Sequence, residues 1–483
     1  MSKARGSDNL RRDARLRVHP STARWCRPRR CAWSAPASRG WQLRREGHGV
    51  TVMEQSGGDP LGAAGVHSSI YASVRLITPR EIIGVSGFPF YPRNDGRRFP
   101  AHGEFLRYVR DFCDAFGLMG AVRLNTKVLR LSLVPGDGDG VMRWVVRCAK
   151  QGEDEGEVVT TEEVFDAVVV AVGQYSKPWL PTINGMDKWS RRQLHSHSYR
   201  VPDSFQDQVV VVVGFHESGM DIALELLGVA SQVHVSVKSM DGVSPGVFKA
   251  LSRHPQPAPA PAPPGLLDLP LAIAPQIDCL CEDGQVVIAD GSGVVADAQG
   301  ENQSIVQRTR YDYSFPFLDT AGLVTVDDNR VGPLFEHTFP PALAPLLSFV
   351  GAPKKVVVPL FYEVQARWVA QVLFGRRSLP PVEDMLRAVE EYNRARDAAG
   401  VPKRLTHDIF DLEYCDEFGE KRCGFPRLEW KKELLWSTVT GMRDDMESFR
   451  DDYHDSDLVR EGLRSQGWLD GRAPQQKDQT GTE

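Results

Sequence analysis

Two unbroken apolar runs, Ala167-Val-Val-Val-Ala171 and Val209-Val-Val-Val-Val213, stand out along the chain. Such runs, with no polar alternation, predict strands buried on both faces, as in the middle of a parallel sheet. The first ends at Gly173, and Pro178 and Pro181 then mark a predicted crossover. The second enters Gly214 and a predicted helix over Asp221–Leu227. Val50–Met53 is a shorter strand of the same kind, with Glu54 at its carboxyl tip. Before it, the stretch from Leu43 to Gly49 reads as a helix end with a glycine cap, so this is the second half of a β-α-β unit whose first half is missing from the pattern. Phe105, Tyr108, Val109, Phe112 and Phe116 recur at helical spacing, and Val364–Phe374 predicts another amphipathic helix. Val122–Val134 and Arg143–Arg147 alternate as strands do. The class is α/β.

Three stretches depart from this grammar. Residues 1–42 are rich in arginine and lack hydrophobic periodicity, so disorder is expected there. An organellar transit peptide is the lesser reading, because Asp8 and Asp13 interrupt it and no amphipathic helix is evident. His254–Pro264 alternates proline with alanine or glutamine, which predicts an exposed, polyproline-like insert over 254–265. The tail from Gln466 is polar and expected to be disordered.

A chain of 483 residues is long enough for two or three domains. A net charge of -5 is slight for that length and gives no basic face for a nucleic acid. The eight cysteines are scattered, without metal-ligand spacing; Cys279 and Cys281 stand too close for it. Free thiols in a reducing, cytoplasmic compartment are therefore expected. The best membrane candidate, Leu266–Leu280, carries Asp268, Pro270, Pro275 and Asp278, so no transmembrane segment is predicted.

The strongest chemical signal is the passage from Val213 through Gly214-Phe-His-Glu-Ser-Gly219. A strand feeding a glycine turn at a helix start presents free N–H groups and the positive end of a helix dipole to a pyrophosphate. Gly214 permits the tight turn and Gly219 close packing of helix on strand, while His216 stands where a middle glycine lets phosphate approach the backbone. The bland reading is a structural strand-to-helix turn. Glu54 is placed to accept hydrogen bonds from a ribose, although a solvated loop glutamate would look the same.

His195-Ser-His-Ser-Tyr199-Arg200, preceded by Trp189, resembles the F-x-G-x-x-x-H-x-x-x-[FY] fingerprint of flavin-containing monooxygenases, with Arg191 at the glycine position. His67-Ser-Ser-Ile-Tyr71, Phe88-Pro-Phe90, Phe99-Pro-Ala-His102, Tyr313-Ser-Phe-Pro-Phe317, Val326-Asp-Asp-Asn329 and Glu363-Val-Gln365-Ala-Arg-Trp368 resemble the plant glucosinolate S-oxygenase-like branch of that family. The resemblance runs from about residue 43 to 460. It implies two Rossmann-like domains: an FAD domain in two segments, 43–176 and 311–465, and an NADPH domain, 177–310, inserted between them. The cofactor-binding set it implies is Glu54, Val128, Gly173, Gly214, Ser218, Gly219 and Gln365. NADPH would reduce the flavin, O2 would give a C4a-hydroperoxyflavin, and one oxygen atom would pass to a small sulfide or amine. That chemistry needs no acid–base dyad, so no catalytic side chain is assigned. Auxin-forming and Baeyer–Villiger branches of the flavin monooxygenases are the neighbouring alternatives.

Members of the family open with a strand and G-x-G-x-x-G for the FAD pyrophosphate; here the equivalent stretch, Ala32–Trp41, holds Pro36 and a single glycine, Gly40. Starting two nucleotides later, codons for those residues permit V-V-G-A-G-V-A-G-L-A, the missing fingerprint in register, which points to a frameshift. Gln55-Ser-Gly-Gly-Asp59 runs almost directly into Pro60 where relatives carry a G-G-x-W segment. Ile77 replaces an asparagine, and Arg308-Thr-Arg-Tyr311 replaces an A-T-G-Y-like segment with Arg310 at its glycine. Reduced activity, or a homologue that at most binds NADPH, is the alternative these departures support.

Overall fold

The computed structural model describes residues 30–34, 42, 44–45, 47–56, 68–136, 140–151, 158–175, 177–214, 217–239, 243–253, 271–274, 276–290, 293–294, 303–307 and 310–469. Two five-stranded parallel sheets organise them. The first runs in the order Leu347–Phe349, Ala167–Val170, Arg30–Ser34, Gly49–Met53, Val122–Arg123. The second runs Leu271–Ala274, Gln232–Ser236, Val209–Val213, Gln303–Gln307, Arg192–His195. Every neighbouring pair in both is parallel.

Side chains alternate across a strand, and both valine runs use both faces. Ala167 and Val169 pack with Val52 onto the helix Leu360–Phe374. Val168 and Val170 face the other way, with Met53, onto Trp144, Val146 and Phe165 of an antiparallel sheet formed by Thr126–Pro135, Met142–Gln151 and Val158–Phe165. In the second sheet Val210 and Val212 meet Ile222, Ala223 and Leu226 of the helix Glu217–Leu226. Val209 and Val211 meet Trp189, Ile277 and Leu280. An apolar run without alternation is what a strand covered on both sides requires.

The chain passes between the two sheets through adjacent connections. Lys177–Pro178 pairs antiparallel with Tyr311–Asp312, and the Trp179 N–H donates to the Arg310 carbonyl at 2.9 Å. The Arg310 guanidinium lies over the Trp179 ring at 4.5 Å, so the arginine at the glycine position of this segment braces the crossing.

Two expectations change. Arg30–Ser34, inside the stretch expected to be disordered, is the central strand of the first sheet, and it supplies the half of the β-α-β unit that the pattern lacked. Its backbone groups are satisfied from both sides by flanking strands, which offsets a weak local preference. Of the tail, residues 466–469 are among the described residues. Trp468 packs against the core beside Tyr91, with ring centroids 4.6 Å apart, because a large apolar ring outweighs the polar residues around it. The proline-rich stretch 254–265, His67, the 57–60 junction and residues 470–483 lie outside the described residues. The membrane candidate holds the strands Leu271–Ala274 and Ile277–Leu280, and among the described residues no helix is long and apolar enough to cross a membrane.

Two histidines are locked in one tautomer beneath the C-terminal helices. The Val331 N–H donates to His407 Nε2 at 3.0 Å, so His407 carries its proton on Nδ1. That Nδ1 lies 2.9 Å from His337 Nδ1, which must accept. Protonating either ring would set two N–H groups against each other. Burial accordingly draws His337 down to about 4 and His407 well below the ordinary imidazole range.

Candidate dinucleotide sites

Each parallel sheet has a point where the chain order reverses, and ligands of such sheets lie beyond the carboxyl ends of the strands at that point. In the second sheet it falls between Val209–Val213 and Gln303–Gln307. Gly214 follows the first of these with φ +86°, a left-handed conformation that costs a side chain about 1–2 kcal/mol and glycine almost nothing. Its N–H donates to the Ser236 carbonyl at 2.8 Å, turning the chain toward the helix that begins at Glu217. Ser218 lies half-buried in the first helical turn and Gly219 is buried against the sheet. Gly214, Ser218 and Gly219 therefore meet at one strand-to-helix junction; Phe215 and His216 lie outside the described residues.

The fingerprint residues frame this junction. His195 ends the outer strand in register with Gln307, and its Nδ1 accepts from the His197 N–H at 3.0 Å. Trp189 and Tyr199 are buried on opposite faces of the sheet. The Tyr199 hydroxyl donates to Glu225 Oε2 at 2.8 Å. Arg191, the departure at the glycine position, donates to the carbonyls of Glu282 at 3.1 Å and Asp283 at 2.7 Å. Its guanidinium covers Gly284, where a Cβ would come 2.3 Å from the arginine Cζ.

Two residues at this junction escaped the sequence reading. Gln307 pairs with Val213 at the carboxyl edge, is 1 % exposed, and neither atom of its amide has a hydrogen-bond partner among the described residues. A buried amide left so costs about 1–3 kcal/mol, a cost that a bound nucleotide's polar groups would relieve. Lys238 stands exposed two residues beyond Ser236, at the tip of the second strand, where nucleotide-binding sheets distinguish a ribose 2′-hydroxyl from a 2′-phosphate. An ammonium there suits the phosphate. No local motif marks either residue; only the register of parallel strands brings them beside Gly214.

In the first sheet the reversal falls between Arg30–Ser34 and Ala167–Val170. Glu54 follows the strand on one side of Ser34, and its carboxylate accepts the Ser56 N–H at 3.0 Å. Gly173 follows the strand on the other side with φ +78°, and nothing lies within 4 Å of where a Cβ would stand. Val128 is half-buried on the adjoining antiparallel strand, which is joined to this tip by the Thr126 N–H donating to the Glu54 carbonyl at 2.9 Å. Gln365 lies one layer behind. It is fully buried, accepts the Gly351 N–H at 3.0 Å and donates to the Thr338 hydroxyl at 2.9 Å, fixing the turn after Leu347–Phe349. The strand ends suit a flavin nucleotide's ribose and ring. The segment after Ser34 offers its phosphates one glycine, and Pro36 has no N–H to give.

A family model described as flavin-binding monooxygenase-like matches residues 62–250 and 272–431. The chain is 47 % identical over 449 residues to the Arabidopsis thaliana flavin-containing monooxygenase FMO GS-OX-like 9, covering 88 % of this chain and 92 % of that one. It is 46 % identical over 446 residues to FMO GS-OX-like 8 of the same plant, covering 88 % and 91 %. Among solved structures, the S-allyl-L-cysteine S-oxygenase of Allium sativum superposes with a TM-score of 0.77 at 35 % identity, over 91 % of this chain and 98 % of that one. Tmm from Pelagibacter shares the fold, with a TM-score of 0.67 at 18 % identity over 89 % and 94 %. The chain belongs to the flavin-containing monooxygenases, with FAD and NADPH as its cofactors, in their plant GS-OX-like branch.

Proposed function

We propose that this chain transfers one oxygen atom of O2 to the sulfur of a small thioether, or to the nitrogen of a small amine, giving the oxide, NADP+ and water. The observation that carries the reading is the junction at Val209–Gly214–Glu217, completed by the buried amide of Gln307, which has no partner among the described residues, and the ammonium of Lys238. Sulfur is favoured over nitrogen by the likeness to an S-oxygenase at 35 % identity. We place the FAD domain at 43–176 and 311–465, joined by the strand Arg30–Ser34, and the NADPH domain at 177–310.

When bound, NADPH supplies a hydride to the flavin, and the reduced flavin activates O2. The chain's own work is to hold and orient. Gly214 and the first turn of Glu217–Leu226 would cradle the NADPH pyrophosphate, with Ser218 adding a hydroxyl. Glu54 and Val128 would hold the FAD ribose and adenine side, Gly173 would let the cofactor approach the backbone, and Gln365 would act through the Gly351 loop it fixes.

The test supplies excess FAD, NADPH and O2 with S-allyl-L-cysteine, and separately with a tertiary amine, and follows the mass of one added oxygen in the product. NADPH consumption with no oxygenated product from either class would refute the reading. A second reading rests on Ala32–Trp41, whose single glycine leaves the FAD phosphates few donors: the chain loses FAD during purification. Stoichiometric flavin absorbance in the purified protein would refute that.

A further inference from the structure

A short C-terminal stretch, Asp445–Asp455, follows the helix Trp430–Asp444 and touches both halves of the molecule. On the side of the second sheet, Arg450 forms a two-pronged ion pair with Asp221 of the helix Glu217–Leu226, at 3.0 and 2.7 Å. Asp445 accepts from Arg253 at 2.8 and 2.6 Å and pairs with Lys249 at 2.7 Å, both on the helix Pro245–Arg253. Met446 packs between Met220 and Val247 of those two helices. Gly246 lets the second helix press on the backbone where the stretch begins, since a Cβ there would stand 2.8 Å from the Asp445 nitrogen.

On the side of the first sheet, Asp451 accepts both guanidinium nitrogens of Arg75 at 2.7 and 2.8 Å. Asp455 does the same for Arg98 at 2.6 and 2.8 Å, and Phe449 meets Phe99 edge-on at 5.6 Å. The two sides join at one residue. Arg450, which grips Asp221, also donates from Nε to the Leu76 carbonyl at 3.2 Å, and the Tyr71 hydroxyl reaches Asp221 Oδ2 at 3.3 Å. The Arg450 side chain is 9 % exposed and that of Asp221 15 %, so this pair is little screened by solvent.

Domains joined only by connecting strands are expected to move against each other unless a substantial interface fixes them. Asp221 lies one turn beyond Ser218, on the helix whose first turn is read above as the NADPH cradle. We propose that the stretch Asp445–Asp455 is a strap that sets the orientation of the NADPH cradle relative to the flavin domain, with Asp221 and Arg450 as positioning residues for hydride transfer; this rests on the functional reading above. Neither residue touches a nucleotide in this scheme, so the strap governs transfer and not affinity. Hydride transfer depends steeply on geometry, and a misplacement of 1 Å costs about 100-fold in rate.

The test compares the wild-type full chain with Arg450→Ala, Asp221→Asn and the exchanged pair Asp221→Arg with Arg450→Asp. Two measurements are made: small-angle X-ray scattering without cofactors and with NADP+, and flavin reduction by NADPH at saturating FAD. The single variants are expected to broaden the scattering profile and slow reduction about 10- to 100-fold. Their NADP+ dissociation constants should stay within about threefold of wild type, and the exchanged pair should recover compactness and rate together. Wild-type scattering and reduction in Arg450→Ala would overturn the strap, as would a loss of rate that tracks a loss of NADP+ affinity. Should Arg450→Ala fail to fold, Asp221→Asn, which keeps the size and the Tyr71 contact, carries the same comparison. Absence of NADP+ binding in the wild type would defeat the functional reading, and the cofactor-free scattering would still decide for or against the strap.

Discussion

Replacing Lys238 with glutamate should reverse the protein's preference for NADPH over NADH, and replacing it with glutamine should only abolish it. Lys238 stands two residues beyond Ser236, whose carbonyl holds the Gly214 N–H at 2.8 Å, so it overlooks the ribose end of anything seated on that glycine. A hydrogen bond between charged groups contributes about 1.5–3 kcal/mol. Lys238 is exposed, and exposed pairs deliver about 0.2–1 kcal/mol. A 2′-phosphate carries nearly two charges, which places the lysine's contribution near 1 kcal/mol. Reversing the sign adds repulsion of similar size, for about 2 kcal/mol in all, or roughly a 30-fold loss in NADP+ affinity. NADH has a hydroxyl at that place and should bind the variant as it binds wild type. Lys238→Gln removes the attraction alone and should lose about fivefold.

Titration calorimetry with NADP+ and NAD+ measures this directly, alongside oxidation of the two reduced nucleotides at saturating FAD. Added salt supplies an internal check, because the wild-type preference should shrink as the exposed charge is screened. A Lys238→Glu protein that keeps its NADP+ to NAD+ affinity ratio within about threefold of wild type would show that the phosphate is held elsewhere.

Two further outcomes follow. Stability should fall as the medium is acidified from pH 7.5 to 5.5: His234 and His337 are drawn by burial to about 4 and His407 is also lowered, so the folded rings stay neutral while the unfolded chain takes up protons first. Each ring loses about 1.4 kcal/mol by pH 5.5, on the order of 4 kcal/mol for the three; urea midpoints independent of pH across that range would contradict the buried, neutral pair. Substituting V-V-G-A-G-V-A-G-L-A for Ala32–Trp41 should restore at least two charge-assisted N–H bonds, about 3–6 kcal/mol, and raise FAD affinity 100-fold or more; equal flavin content before and after the change would show that the loop is not what limits FAD.

What could be read from the sequence is what local chemistry decides. The runs Ala167–Ala171 and Val209–Val213 announced themselves because a strand covered on both faces leaves no room for polar alternation, and both lie at or beside a sheet centre. Gly214 was legible for a similar reason: a strand that must turn at once into a helix takes glycine. Arg30–Ser34 was not legible. Nothing in R-C-A-W-S favours a strand strongly, and its place comes from the parallel edges of Gly49–Met53 and Ala167–Val170, which need a partner between them. Arg191 and Arg310 looked like damage to a motif because each stands at a family glycine. In the fold each makes contacts of its own, one over Gly284 and one over Trp179.

The same division separates the two nucleotide sites. At the NADPH junction, the residues that escaped notice were those that only tertiary register delivers: Gln307 is brought by its pairing with Val213, and Asp221 by an arginine 229 positions away. Their addition makes that site more complete than its motif, in which His216 replaces a glycine. At the flavin site the logic runs the other way. The sheet is whole and Glu54, Gly173 and Gly351 stand at its edge, yet no register can supply donors to a phosphate loop, because those donors are the loop's own backbone N–H groups. A side chain lost from a site can be replaced by a neighbour. An N–H lost to Pro36 cannot, so on the reading proposed above any functional deficit of this chain would fall on FAD retention and not on the NADPH junction.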